Sequence, residues 1–401
     1  MRRLLTPSRS VPLVIIASVI AMVVSANIRE GRRSRRPFTN APPLGTAGAP
    51  ATSRDGLARR IAEMNSRLSA RPDDVGAAVL LADALIRQTR VTGNAGLTVQ
   101  AERVLMNALR EDPANYDVLR MQGTLYLSQH RFADAAVVAE QCRALRPEDP
   151  VNYGVVGDAH LELGDYDEAF DAFDRMMQLR PGAASYARVA YARELQGNLS
   201  GALESMRLAA EASEGGDVEA IAWYHSQVGE LYVKLDKPTD ALREFSTASS
   251  AFPGHPFAVV GYAKALEMTG QREQSRALLE DLVRNSPTPD VHARLGDLLA
   301  AEGRAKEAER QYALAEAAWR SDAPEPKNLA RFLAEHGEKL DEAVTIAEAA
   351  AKIRHDIFTQ DALAWAYFKA GRVTDAKRTI RLALRTGTRD RDILRHAEVI
   401  G

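Results

Sequence analysis

Residues Asp149 to Pro181, DPVNYGVVGDAHLELGDYDEAFDAFDRMMQLRP, read as two amphipathic helices joined by a tight turn. In the first, about Asn152 to Glu162, the residues Tyr153, Val156, Gly157 and His160 share a face at i, i+3, i+4 and i+7 spacing. Gly164-Asp165 breaks it. The second, from about Asp167, carries Ala169, Phe170, Phe173 and Met176 at similar spacing, and Pro181 stops it. Gly157 and Ala169 supply the side-chain-poor spots that a close helix crossing needs. Such a hairpin leaves an apolar face uncovered, so it requires neighbours.

The neighbours stand in register. Pro113, Pro147 and Pro181 recur every 34 residues, and Pro253 and Pro287 are again 34 apart. The small residue of the first helix returns as Ala82, Gly123, Gly157, Ala190, Gly229, Ala263, Gly296, Ala330 and Ala364. That of the second returns as Ala101, Ala135, Ala169, Ala202, Ala241, Ser275, Ala308, Ala343 and Ala376. A fixed period with two helices per unit predicts an all-α solenoid that grows by stacking.

Two units are especially informative: Val228-Gly229-x2-Tyr232 with Ala241-x3-Phe245 and Pro253, and Leu363-Ala364-x2-Tyr367 with Ala376. On these residues the chain resembles the tetratricopeptide repeat family, of a bacterial membrane-anchored type. The resemblance runs from about Asp73 to Asp390. The aromatic at the first position of the pattern is mostly replaced, as by Leu119 and His225. It implies a right-handed α-solenoid of about nine helix-turn-helix repeats whose first helices line a concave groove. Fold and site remain separate arguments.

Composition narrows the classes of partner. With 52 basic and 54 acidic residues in 401, the net charge of −2 creates no whole-chain field that would draw nucleic acid. The only cysteine, Cys142, falls where other units place Ala209, Ala248, Ala315 and Ala383, and reads as a small buried side chain.

At the N-terminus, Arg2, Arg3 and Arg9 precede a continuously apolar run, Val11 to Ala26, followed by Arg29, Arg32, Arg33, Arg35 and Arg36. This is the pattern of a secretory signal or a membrane anchor. The run of 16 residues is short for spanning a core of roughly 30 Å. Val24-Ser25-Ala26 suits a signal peptidase, while the arginines beyond it resist translocation. Cleavage and orientation stay open, with the repeats expected on the extracytoplasmic side of an envelope membrane.

Five segments follow: a signal or anchor at 1–27; a basic, then Pro/Ala/Gly-rich disordered linker at 28–53; a capping helix at 54–72; the repeats at 73–390; and a second capping helix at 391–401. Leu57, Ile61, Met64 and Leu68 form the apolar stripe of the first cap. Arg90 to Leu97 is extra length in the first unit, expected as an exposed loop. Ser213 to Asp217 and Ser321 to Pro326 interrupt the later units.

Chemistry-bearing motifs do not emerge. His130, His160, His225, His255, His292, His336, His355 and His396 show no HExxH spacing and no cysteine partners, so no metal is expected. His160, His225 and His292 read as packed residues. There is no phosphate loop or nucleophile elbow, and no catalytic residue, cofactor or small-molecule substrate is expected. Asp165 and Asp167-Glu168 read as N-caps of a second helix.

The family resemblance then implies a groove lined by Arg120, Asp158, Tyr191, Trp223, Glu230, Lys264, Arg331, Trp365 and Lys369. Aromatics mixed with both signs of charge suit a protein or peptide partner. The expected function is a non-enzymatic, membrane-tethered scaffold in a bacterial envelope assembly. The alternative is an adaptor for a polysaccharide- or peptidoglycan-processing enzyme, or a glycan binder using Tyr191, Trp223 and Trp365 as stacking platforms.

Overall fold

The computed structural model describes residues 54–213, 217–321, 326–337 and 339–401. The expected signal or anchor and the linker lie outside the described residues, as do most of the two later interruptions. Among the described residues every element is a helix. A single helix, α1 (Arg54–Ala70), leads a series of antiparallel hairpins. These are α2 (Val75–Thr92) with α3 (Gly96–Glu111), α4 (Tyr116–Ser128) with α5 (Phe132–Leu145), and α6 (Pro150–Leu163) with α7 (Tyr166–Leu179). Next come α8 (Ala183–Leu195) with α9 (Leu199–Ser213), α10 (Val218–Lys234) with α11 (Pro238–Ala251), and α12 (Pro256–Met268) with α13 (Arg272–Asn285). The series ends with α14 (Pro289–Ala301) and α15 (Ala305–Ser321), α16 (Pro326–His336) and α17 (Leu340–Ile353), α18 (Ile357–Lys369) and α19 (Val373–Ala383), then α20 (Arg391–Ile400).

Local chemistry sets these boundaries. First helices begin at side-chain caps: Asp74, Asn115, Asp149, Thr288 and Asp356 each accept a backbone N–H of the opening turn. Most end in a left-handed residue, as at Gly164, Gly270, Gly303 and Gly371, with His130 and Asp236 taking the same conformation elsewhere. The residue after it donates back to a carbonyl one turn earlier, as Asp165 does to His160 and Arg372 to Tyr367, both at 2.8 Å. That backbone closure displaces the expected capping role of Asp165, which makes no side-chain cap bond. Its carboxylate instead faces His160 Nδ1 at 3.2 Å. Asp167 and Glu168 sit in the first turn of α7, where the helix dipole favours negative charge.

The small residues are buried at every repeat. Their partners show why the volume must be small. The ring of Phe173 fills the space above Gly157, Phe245 that above Gly229, and Tyr312 that above Gly296. The aromatic lies four residues after the small residue of the second helix, so the two helices interlock. On α6 the buried set is wider than the expected stripe, with Val151, Val155, Val156, Ala159 and Leu161 all covered, while Tyr153 and His160 are half-buried.

The solenoid is not the open stack that repeat length alone suggests. Its two rims meet, because the turns inside early hairpins sit on the junctions between late ones. Arg87 Nη1 bonds Asp217 Oδ2 at 2.9 Å across 130 positions, and Arg90 Nη2 bonds Glu219 Oε2 at 2.8 Å. Leu57 and Val91 share a buried cluster with Ala248, Phe252 and Ala258. Further on, Arg354 Nη2 reaches Glu162 Oε2 at 2.5 Å, and His355 N donates to Leu163 O at 2.7 Å. Arg90 to Leu97 is therefore not simply an exposed loop. Helix α2 continues to Thr92, and Val91 is completely buried.

Candidate partner-binding groove

Consecutive first helices touch one another (α2 with α4, α4 with α6, α10 with α12, α16 with α18), whereas consecutive second helices stand further apart. The side whose helices crowd together is the inside of the curve. The expected groove residues lie on these first helices, and the structure shows what each touches.

Most are already engaged across the seam between repeats. Asp158 of α6 takes a two-point bond from Arg188 of α8, with Nε to Oδ1 at 2.9 Å and Nη2 to Oδ2 at 2.5 Å. Burial raises the Asp158 pKa, and the arginine opposes that rise. Arg120 Nη1 lies 3.5 Å from Asp149 Oδ2. Lys264 Nζ lies 3.5 Å from Glu230 Oε2, 34 positions earlier. Lys234 pairs with Glu194, and Arg294 Nη2 with Glu267 Oε2 at 2.8 Å. Together these form a ladder of opposite charges tying the successive first helices from α4 to α14. Arg188, Glu194, Lys234, Glu267 and Arg294 were not among the residues expected from sequence. Opposite charges about one repeat apart were the available signal.

The aromatics differ among themselves. Tyr191 and Trp223 are half-buried, and the Trp223 ring meets Tyr224 edge-on at 5.1 Å between centroids. Burial holds the Tyr191 hydroxyl well above its ordinary pKa. Trp365 is only 7% exposed. It stacks on His396 of α20 at 4.0 Å and on Phe368 at 5.5 Å, with the Lys369 ammonium 5.5 Å from its ring. The expected sugar-stacking role at Trp365 is corrected accordingly: α20 covers the ring. Arg331 meets Asp392 of the same helix at 3.6 Å.

The histidines read as packed are indeed held by neighbours. His225 Nδ1 faces Glu244 Oε2 at 2.8 Å and His292 Nδ1 faces Gln311 Oε1 at 2.8 Å. Cys142 is buried, and that burial pushes its thiol up to about 11. Among the described residues no three His, Cys, Asp or Glu side chains gather to hold a metal, and no helix is long and apolar enough to cross a membrane. The apolar run Val11 to Ala26 lies outside the described residues.

Stacked helical hairpins with a polar, charge-paired inner face define an α-solenoid. The tetratricopeptide repeat family model matches residues 120–184 and 155–217 in one form and 232–298 in another. These stretches carry tetratricopeptide repeats, and the same helical unit continues through the fold on either side. The Hsp70-Hsp90 organizing protein of Triticum aestivum is 30% identical over 98 residues, 23% of this chain and 17% of that one. The chain thus spans well under a fifth of that relative's length. The structure of the human IFIT1 dimer with m7Gppp-AAAA shares the fold, with a TM-score of 0.55 and 15% identity over 83% of this chain and 77% of that one. The APC/C hetero-tetramer Cut9-Hcn1 gives a TM-score of 0.51 and 14% identity over 86% of this chain and 59% of that one.

Proposed function

We propose that the protein is a non-enzymatic scaffold that binds a protein or peptide segment along the inner face of its first helices. The single observation that carries this reading is the face itself. Half-buried Tyr191 and Trp223 stand among charges of both signs, Glu194, Lys234, Glu230 and Lys264, on neighbouring helices. Aromatics supply contact area at small entropic cost, and paired charges can exchange partners with a polar segment. The wheat relative, named as an organizer of two other proteins, supports the same class of activity. Balanced charge on this face speaks against nucleic acid.

The Val11 to Ala26 run and the arginines beyond it motivate a second part of the proposal: tethering to a bacterial envelope membrane, with the repeats on the extracytoplasmic side. A reporter fused after Gly401 and active only outside the cytoplasm supports it; activity only inside refutes it.

The test of the scaffold reading is site-specific photo-crosslinking in the full chain. A crosslinker at Trp223 should capture a discrete partner, and one at exposed Arg310 on α15 should not. Trp223→Ala with Lys264→Ala should abolish the complex while the helical circular dichroism is unchanged. Equal capture from both positions, or binding indifferent to the double substitution, contradicts it.

A further inference from the structure

Helix α20 lies on expected groove positions of the last two hairpins, with the buried His396 at the centre of its contacts. His396 is fully buried, with Ile393 and Ile400 buried on the same face. Its Nδ1 faces Asp361 Oδ1 of α18 at 2.9 Å, and its Nε2 faces Glu335 Oε1 of α16 at 3.0 Å. Its ring stacks nearly parallel on Trp365, at 12°. The other charges around it are Arg395, which shares Glu335 at 2.6 Å and stands 3.1 Å from Nε2, and Arg331 of α16, which meets Asp392. Asp390 caps α20, and Lys377 of α19 sits beside Gly401 at the far end.

An imidazole between two carboxylates can bond both only by donating from both nitrogens, which requires the imidazolium. Burial alone would lower the His396 pKa, but the bonds and charges of Asp361 and Glu335 outweigh it and push it up to about 8. Burial likewise opposes ionised Glu335, yet His396 and Arg395 hold it down at about 2. A neutral His396 that kept its Nδ1–H on buried Asp361 would turn the Nε2 lone pair toward the Glu335 carboxylate, whose side chain is 29% exposed.

We propose that α20 is a self-docked occupant of the end of the groove, latched by doubly bonded His396, and that loss of its proton frees Asp361, Glu335 and Trp365 for a partner helix presenting a basic residue. The identity of the surface rests on the groove reading above. The latch does not, and is tested without a partner.

The sign follows from linkage. A histidine raised from 6.5 to about 8 contributes stability that is complete below pH 6.5 and is lost as pH rises through 8. In the full chain, hydrogen exchange of the α20 amides, corrected for intrinsic rates, should show the opening constant rising about twentyfold between pH 6 and pH 9. His396→Gln should open α20 at every pH and flatten the profile. Glu335→Gln should shift the transition to lower pH. A labelled peptide of residues 388–401 carrying His396→Lys should bind the full chain at pH 9 and not at pH 6. Equal protection of α20 at both pH values, a pH profile retained in His396→Gln, or no peptide binding at pH 9 overturns the proposal.

Discussion

The Tyr166 hydroxyl accepts the backbone N–H of Ile357 at 2.9 Å, a bond between residues 191 positions apart. Beside it, Arg385 Nη2 donates to Gly164 O at 3.1 Å and to His355 O at 2.5 Å. One turn of the ribbon thus rests on another through backbone groups as well as side chains.

Gly164 shows how close that approach is. It has φ of +96°, and an added Cβ would collide with the backbone of His355 and Asp356. Gly371 has a similar φ of +79° with open space around it. Gly371→Ala should therefore cost only the left-handed penalty, about 1–2 kcal/mol. Gly164→Ala should cost clearly more and should loosen the 353–357 junction, read by urea unfolding and by hydrogen exchange there. Equal costs would remove the inter-turn contact from the account.

Arg87 and Asp217 are both nearly inaccessible, with side-chain exposures of 6% and 5%. Arg87→Ala strands the Asp217 carboxylate, with Asp83 close by, and should destabilise by about 3–5 kcal/mol. Adding Asp217→Asn should recover part of that loss. A double-mutant cycle in urea measures the coupling.

Glu219 supplies a pH signature. Burial would raise its pKa, but Arg90, His255 and Arg87 outweigh burial and lower it from 4.5 to about 2. Its contribution is complete above pH 4.5 and fades as pH falls toward 2, amounting to about 3 kcal/mol. Glu335 titrates in the same window, so the informative quantity is a difference. Urea midpoints should fall more steeply between pH 5 and pH 3 in the parent than in Glu219→Gln.

Cys142 is 1% exposed, and burial has raised its thiol, so alkylation at neutral pH should follow unfolding. Iodoacetamide should label it in urea and leave it largely unmodified in buffer. Rapid labelling of the folded chain would place the thiol outside the core.

The hairpins were legible because their cause is local. A proline after five of the second helices, a glycine or a substitute at each turn, and a small residue at each crossing repeat with the period of the unit. The aromatic that fills the gap above Gly157 or Gly229 lies four residues after the next small residue, which a reader of spacing can find. The rim-to-rim closure was not legible. Arg87 and Arg354 look like ordinary arginines near helix ends, and partners 130 or 192 positions away leave no periodic trace. The groove was half legible. Register placed Asp158, Glu230 and Lys264 on the inner helices, but it did not show that Arg188 pairs with Asp158, or that α20 covers Trp365.

The central claim is that the ribbon of repeats closes turn on turn. Spin labels at exposed Glu168 on α7 and Lys352 on α17, in a Cys142→Ala background, test it by double electron–electron resonance. A short, narrow distance distribution that lengthens and broadens on Arg354→Ala is the predicted result. A broad distribution already in the parent chain, unchanged by Arg354→Ala, would contradict it.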